Sequence, residues 1–477
     1  VARGRAEDRL GPVNATERSL IERALEARTS EEVWSTLAPL RPRIVEDREL
    51  AEAWLTLLEA SPARRELVED VQAALWAFPE DEGLRGLGLR ALLRADERRG
   101  PDEPPRPGSP AERALEIARR ALAAAPEAGS DEHRAGRAAL LLALGNAHRR
   151  LGPGHDAEAV QAFEQALLLA PADGHAWFDC GLCHKWAGRF RAAWVAFQRA
   201  EERLGATRAV LFNRAACATA SGQVEDAAEA WRRAGLSVEL SAGSLPRVTR
   251  GDGAPLPDVW VRVPTRGTGH AELGVPEAGV AFEIVGVEPL SPCHGVVRTP
   301  TLRHAVVDFG DVVLFDPAPV ARMAFGGESA PRPVLPLLHV IARGDERRFP
   351  FLALEQEADT VRALGASLPE GCLWYVHDTR VDRVCPRCAA GDVMQRHEHE
   401  PPTERRVVRG KLVVPGAVDL DAARRSLEQA RRADVLLAIP TLFEALGETS
   451  TAGKHHKSWG VIERGLLAPS TPTPARH

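Results

Sequence analysis

Along residues 156–236, small and large apolar residues recur on one helical stripe at a fixed interval. Ala159, Phe163 and Ala166 return as Ala193, Phe197 and Ala200, and again as Ala227, Trp231 and Ala234, each step being 34 residues. The Ala-x3-Phe-x2-Ala spacing puts three side chains on one face of a helix, and the alanines let a neighbouring helix approach closely. Gly188 and Gly222 keep the same interval and predict a turn before each such helix. Ahead of the turn, Trp177, Cys180, Gly181 and His184 mark a first helix, and Pro171 blocks continuation of the helix begun near Asp156. Helix pairs are therefore predicted over 138–171, 174–204 and 208–236, with weaker pairs over 50–79 and 81–126 and a helical cap over 1–49. The Pro- and Gly-rich stretch Asp96–Ser109 predicts an exposed loop inside the second of the weaker pairs.

Near Leu236 this period stops. Short β-rich runs follow, punctuated by Gly and Pro: Val259–Val263, Val280–Val285, Asp311–Phe315, Leu337–Ile341 and Cys372–Val376. Two helices are predicted among them, near Glu357–Leu368 and Asp419–Ala433, the second with Asp419 or Asp421 as a cap. Residues 237–467 thus read as a separate strand-rich α+β domain, and 468–477, rich in Pro, Ser and Thr, as a disordered tail.

The repeat resembles the tetratricopeptide (TPR) family, whose consensus places Trp, Leu-Gly, Tyr, Ala, Phe, Ala and Pro at set positions of a 34-residue unit. Residues Gly174–Glu201 match best. The unit before it fits with a turn, Leu151–Asp156, two residues longer than usual, and the last unit has Ala215 at the glycine position and Ala218 at the tyrosine position. The resemblance spans about 50–236 and implies an all-α superhelix whose concave face binds another protein or a peptide. It places Asn146, Arg149, His175, Phe178, Leu182, Lys185 and Phe212 on the groove-facing side of first helices. The family's carboxylate clamp for chaperone tails is not reproduced, because Leu142, Asp179 and Ala209 stand where that clamp has Lys, Asn and Lys. Phe163, Trp177, Phe197 and Trp231 are expected as core knobs. Cys180-Gly-Leu-Cys183-His184 matches the haem-attachment pattern, yet it falls on a first helix of the array, where covalent haem is not expected.

Charge narrows the partners. With 61 Lys and Arg against 67 Asp and Glu, the net charge of -6 offers no general attraction to nucleic acid or anionic lipid. No run approaches the roughly 18 apolar residues of a membrane span. Residues Val1–Leu10 lack the apolar core of a secretory signal, so a cytoplasmic address is the expectation. Seven cysteines, an odd number, then argue for free thiols or metal ligands ahead of disulfides.

The sharpest chemistry lies in the second half. Cys385-Pro-Arg-Cys388 is followed by His397-Glu-His399. Two thiolates two residues apart can chelate one metal from a tight turn, and histidines at i and i+2 share a face of an extended segment. Together the four would fill a tetrahedral structural zinc site, with Cys372, His377 or Cys293 as substitutes. A bare turn with exposed thiols is an equal alternative. Redox chemistry is a weaker one, since no helix is predicted to start at the first cysteine.

Two near-matches fail. Thr299-Pro-Thr-Leu302 with Gly310–Leu314 looks like the strand signature of signal-peptidase-type serine proteases, but Val297 stands at the nucleophile position. The run Gly447–Lys454 is one residue too long for a phosphate loop and is followed by His455 in place of a hydroxyl, so a loop of no special function is expected there. Lys454-His-His-Lys457 with Trp459 fits either an anion contact or a solvated terminal segment. The leading expectation is a protein-interaction scaffold. Its rival is an enzyme whose site, metal-dependent through Cys293, His294, His304 or the Cys385 cluster, lies in the α+β domain.

Overall fold

Helices of the first unit begin where a side-chain oxygen can take an otherwise orphaned backbone N–H. Asp173 and Thr207, one repeat apart, accept from the N–H groups of Ala176 and Val210 at 3.0 and 3.4 Å, and Ser130 accepts from His133 at 3.2 Å. Turns close equally regularly. Gly188 and Gly222 adopt φ of 72° and 71°, a left-handed conformation that suits glycine, and Arg189 and Gln223 then donate back to the carbonyls of His184 and Ala218 at 2.8 Å.

The computed structural model describes residue 20 and residues 30–60, 66–96, 106–125, 129–241, 244–265, 282–302, 305–324, 330–390 and 398–467. The chain divides into two units at Pro246, beyond Leu236 where the helical period stops. The first contains α1 (Ser30–Leu37), α2 (Arg48–Ala60), α3 (Leu67–Ala77), α4 (Glu82–Ala95), α5 (Pro110–Ala124) and α6 (Asp131–Leu151). It continues with α7 (Asp156–Leu169), α8 (Gly174–Trp186), α9 (Phe190–Leu204), α10 (Arg208–Ala220), α11 (Val224–Arg233) and the short β1 (Ser237–Glu239). From α4 onward each helix packs on the next, so the unit is a helical repeat array. At its start the buried Asp70 carboxylate accepts from Trp54 Nε1 at 3.1 Å and from Arg41 Nε at 2.5 Å. The tip of the Asp96–Ser109 loop, 97–105, lies outside the described residues, but its ends are pinned: Ala111 N–H donates to the Asp96 carboxylate at 3.1 Å.

Aromatic knobs set the spacing within each pair. Phe163, Phe197 and Trp231 are fully buried. A Cβ at Gly145 would lie 2.9 Å from the Phe163 ring, and one at Gly181 would lie 2.8 Å from the Phe197 ring, so α6 and α8 each carry a notch for the knob of the helix that follows. Trp177 differs from the expectation. It is only partly buried, and its indole N–H donates to the Pro171 carbonyl at 3.0 Å, so it braces the inter-repeat turn.

The second unit opens with β2 (Arg247–Thr249) and then builds a five-stranded barrel from β3 (Val259–Pro264), β4 (Phe282–Ser291), β5 (His294–Val297), β6 (Val312–Phe315) and a later strand, β8 (Arg332–Ala342). Neighbours are antiparallel, and β8 returns to pair parallel with β3, which closes the sheet. Between β6 and β8, β7 (Ala321–Met323) pairs with the start of β8. Alternate residues Val261, Val263, Val285, Val287, Val313 and Phe315 fill the barrel, as a period-2 pattern requires.

A second, antiparallel sheet has the order β10-β11-β9-β12, from β9 (Arg347–Glu355), β10 (Leu373–Val384), β11 (Thr403–Val414) and β12 (Leu436–Ala438). Phe349, Phe351 and Ala353 of β9 face one core, while Leu352 and Leu354 face another. The helices of this part are α12 (Thr360–Ala363), α13 (Pro386–Ala389), α14 (Leu420–Ala430), α15 (Pro440–Ala445) and α16 (Thr449–Leu467). Asp419 caps α14 as expected. Two expectations change. The helix near Glu357–Leu368 shrinks to one turn plus a 3-10 segment, because Asp359 takes a positive φ of 63° just before it. The run Gly447–Lys454 is no loop, since α16 starts at Thr449.

Buried Asp311 ties the barrel to the second sheet: it accepts from Arg343, Gly344 N–H and Arg348 at 2.7 to 3.0 Å. Among the described residues no helix is long and apolar enough to cross a membrane.

Packing across a notch predicts intolerance of bulk: Gly181→Val should destabilise the array by about 1–3 kcal/mol, as overpacking does. An unchanged urea midpoint would contradict the notch. Acid should also weaken the fold. Burial pushes His148, His184, His294, His377 and His455 down to about 4 from an ordinary 6.5. The unfolded chain therefore binds more protons between those values, and stability is lost as pH falls through that window. The check is the urea midpoint at about pH 7.5 and about pH 5, which should drop at the lower value.

Candidate metal centre and groove residues

The β10–β11 hairpin pairs as far as Val384 opposite Thr403, and its connection carries the whole Cys and His cluster. Cys385 ends the strand, Pro386 starts the single turn of α13, and Cys388 lies on that turn. Ala389 N–H donates to the Cys385 carbonyl at 2.9 Å, which fixes the turn. Both thiols are buried, at 8% and 5% exposure, among Leu352, Leu354, Val407 and Ile462. His399 approaches from the returning limb and is exposed.

The ligand atoms of Cys385, Cys388 and His399 all lie within 4.8 Å of one another. Cys388 Sγ and His399 Nδ1 are 3.7 Å apart. A tetrahedral zinc with bonds of about 2.3 Å to sulfur and about 2.0 Å to nitrogen holds such atoms about 3.5 Å apart. Three of the four expected ligands are thus brought together, the Cys388–His399 pair near the spacing a metal would impose, with both thiols buried and His399 exposed. The fourth, His397, lies outside the described residues. The substitutes Cys293, Cys372 and His377 are not in this cluster.

A second cluster, His148, His155 and Glu158, was not singled out by the sequence. His148 Nδ1 and His155 Nδ1 are 3.3 Å apart, and Arg119 lies 3.4 Å from His148 Nε2. A guanidinium only donates, so Nε2 accepts, and the proton of neutral His148 sits on Nδ1, directed to His155. The pair is a hydrogen-bonded clasp across the long turn between α6 and α7. Its signal was there: the two-residue lengthening of that turn brings His155 back onto the helix it follows.

The groove residues divide by what they touch. Arg149 donates to Asn146 Oδ1 at 2.8 Å and lies 3.6 Å from Asp179, so a polar chain links α6 to α8. His175 is exposed and Leu182 partly buried. Phe178 packs edge-on to Phe197 at 5.5 Å, and Phe212, one repeat later, edge-on to Trp231 at 5.0 Å with Arg208 over its ring. Lys185 is 3% exposed and donates to Asn213 Oδ1 at 2.7 Å. A groove of about 760 Å³ lies between α4, α5 and α6, with Asn146 in its wall.

Other candidates sit deeper. Cys180 and Cys183 are buried inside the array, and burial raises Cys180 to about 12, which suits packing and not haem attachment. Ser291, Cys293 and His294 are sealed in the barrel wall, where Ser291 Oγ lies 2.5 Å from His294 Nδ1. His304 lies outside the described residues. Val297 is fully buried.

No protein-family model matches the chain, and no curated protein sequence does. Solved structures do give similarities, among them chains of MamA. Two crystal structures of MamA are 14% and 12% identical with TM-scores of 0.28 and 0.29; they align with 35% and 39% of this chain and 84% and 90% of their own. A structure of MamA AMB-1 is 18% identical with a TM-score of 0.26, over 39% of this chain and 95% of its own. At these scores the likeness decides nothing, and the repeat architecture rests on the helices themselves.

Convergence of two thiols and an imidazole predicts about one zinc per chain after purification without chelators. Cys385→Ser with Cys388→Ser should remove it while the helical circular dichroism of the array persists. Acid should release the ion from the intact chain, because protons compete for thiolate and imidazole. Zinc-free protein, or zinc retained by the double variant, would contradict the site.

Proposed function

We propose that the chain is a protein-interaction scaffold whose TPR-type array holds a protein or peptide segment on the face formed by its first helices. The strand-rich unit is a second module whose long hairpin is clamped by structural zinc at Cys385, Cys388, His399 and His397. The observation that carries the first part is the groove between α4, α5 and α6, whose volume of about 760 Å³ is lined by apolar Leu89, Leu93 and Leu140 and by charged Arg85, Glu132 and Arg137. Apolar floor with mixed charge at the rim is the composition of a peptide-binding surface. It is continuous with the Asn146, Arg149 and Asp179 chain, so an extended segment would run from α4 toward α8.

The experiment is affinity purification of the full chain from its source cells, with intact protein beside an Arg85→Glu, Arg137→Glu variant. Both substitutions lie on the groove wall. A partner recovered in near-equal amount with the intact chain should bind the variant at least tenfold more weakly, about 1.4 kcal/mol. A partner that binds both equally would place recognition elsewhere and overturn the groove reading.

A further inference from the structure

Helix α16 presents Thr451, Lys454, His455 and Ser458 at i, i+3, i+4 and i+7, and so along one face. That face closes a pocket of about 430 Å³ whose other walls come from α14, α15, β12 and the end of α13 at Ala389 and Ala390. Its inner lining is apolar and well ordered by packing: Leu427, Val435, Leu437, Ile439, Leu442 and Phe443 are all buried.

The rim carries the opposite character. Four cations, Arg424, Arg431, Arg432 and Lys454, line the pocket against one carboxylate, Glu428. Arg424 is taken by Asp421, Glu428 and Glu448, and Arg432 by Asp434 and Glu357. Arg431 and Lys454 have no acidic partner among the described residues, and both are exposed. His455 adds a donor. Its Nδ1 accepts the Ile439 N–H at 3.1 Å and its ring lies against Phe443, with centroids 4.3 Å apart; the neutral ring therefore carries its proton on Nε2. Donors thus dominate the rim of an apolar cavity, and its one carboxylate already accepts from Arg424 at 2.5 Å.

We propose that this pocket binds a small anionic organic molecule, with a carboxylate or phosphate head at Arg431 and Lys454 and an apolar body against Leu437, Leu442 and Phe443. The volume lies in the range of small-molecule sites. A guanidinium offers a planar fork to a carboxylate or phosphate, and an ammonium adds a point charge. A neutral ligand of the same shape would leave both charges unanswered. The site shares no residue with the array groove or with the ligands of the Cys385 cluster, although Ala389, next to Cys388, forms part of its wall.

Isothermal titration calorimetry of the intact chain with octanoate and with octyl phosphate tests this, with octanol as the neutral control. At least one anion should bind at least tenfold more tightly than octanol, and binding should weaken as salt rises. Which anion binds better identifies the head group. Arg431→Gln with Lys454→Gln should lose at least tenfold in affinity with unchanged circular dichroism, since both side chains are exposed, whereas Arg425→Gln, on α14 but outside the pocket lining, should bind as the intact chain does. Failure of both anions to bind, equal binding of octanol, or undiminished binding by the double variant would overturn the proposal.

Discussion

An aromatic ring seated on a residue with little or no side chain is the contact on which the first unit depends. Phe163 on Gly145 and Phe197 on Gly181 bring the two helices of a pair so close that no Cβ fits between them. Once that distance is fixed, the alanines at positions 159, 166, 193 and 200 are buried against neighbouring helices, and each pair offers the next the same surface. The consequence is a stack in which every unit needs its neighbours to cover its apolar face. Phe178 and Phe212 extend the same ladder toward the first-helix side by packing edge-on to the knobs. The groove between α4, α5 and α6 opens where two first helices, α4 and α6, flank the end of α5, a second helix.

The second unit solves a different problem. Its barrel closes by one parallel pairing between β3 and β8, and the buried Asp311 carboxylate, with two arginines and a backbone N–H on it, holds the strand link that leads out of the barrel into the second sheet. Lys411 of β11 repeats the device, donating to Asp308 at 2.5 Å. At the far end of the long β10–β11 hairpin the two buried thiols and His399 meet. A metal there would restrain a connection that otherwise costs chain entropy to order.

What the sequence made legible was whatever depends on strict recurrence. The 34-residue step predicts the helices from α6 to α11, the glycine turns and the buried knobs because stacking demands the same residue type at the same place. The two thiols and His399 were legible for a similar reason: a Cys-x-x-Cys turn leaves few geometries. Groove residues were less so. Their exposure depends on how one helix leans on the next, and Lys185, read as groove-facing, is instead buried against Asn213. Helix α16 was hidden because Thr, Ser and Gly, weak helix formers, open it, and only packing of Ala452 and Ile462 into two cores settles its state. Strand β11 is not legible in the sequence because three of its residues are arginines, whose stems lie along the sheet while their heads reach outward.

Hydrogen exchange of the intact chain, followed by mass spectrometry, tests most directly whether neighbour packing holds the array. Helices α8 and α9 have a repeat on either side, whereas α11 has none after it. The account predicts the slowest exchange in α8 and α9 and progressively faster exchange toward α11. Uniform protection that is lost from all helices in one step, or α8 exchanging faster than α11, would contradict it.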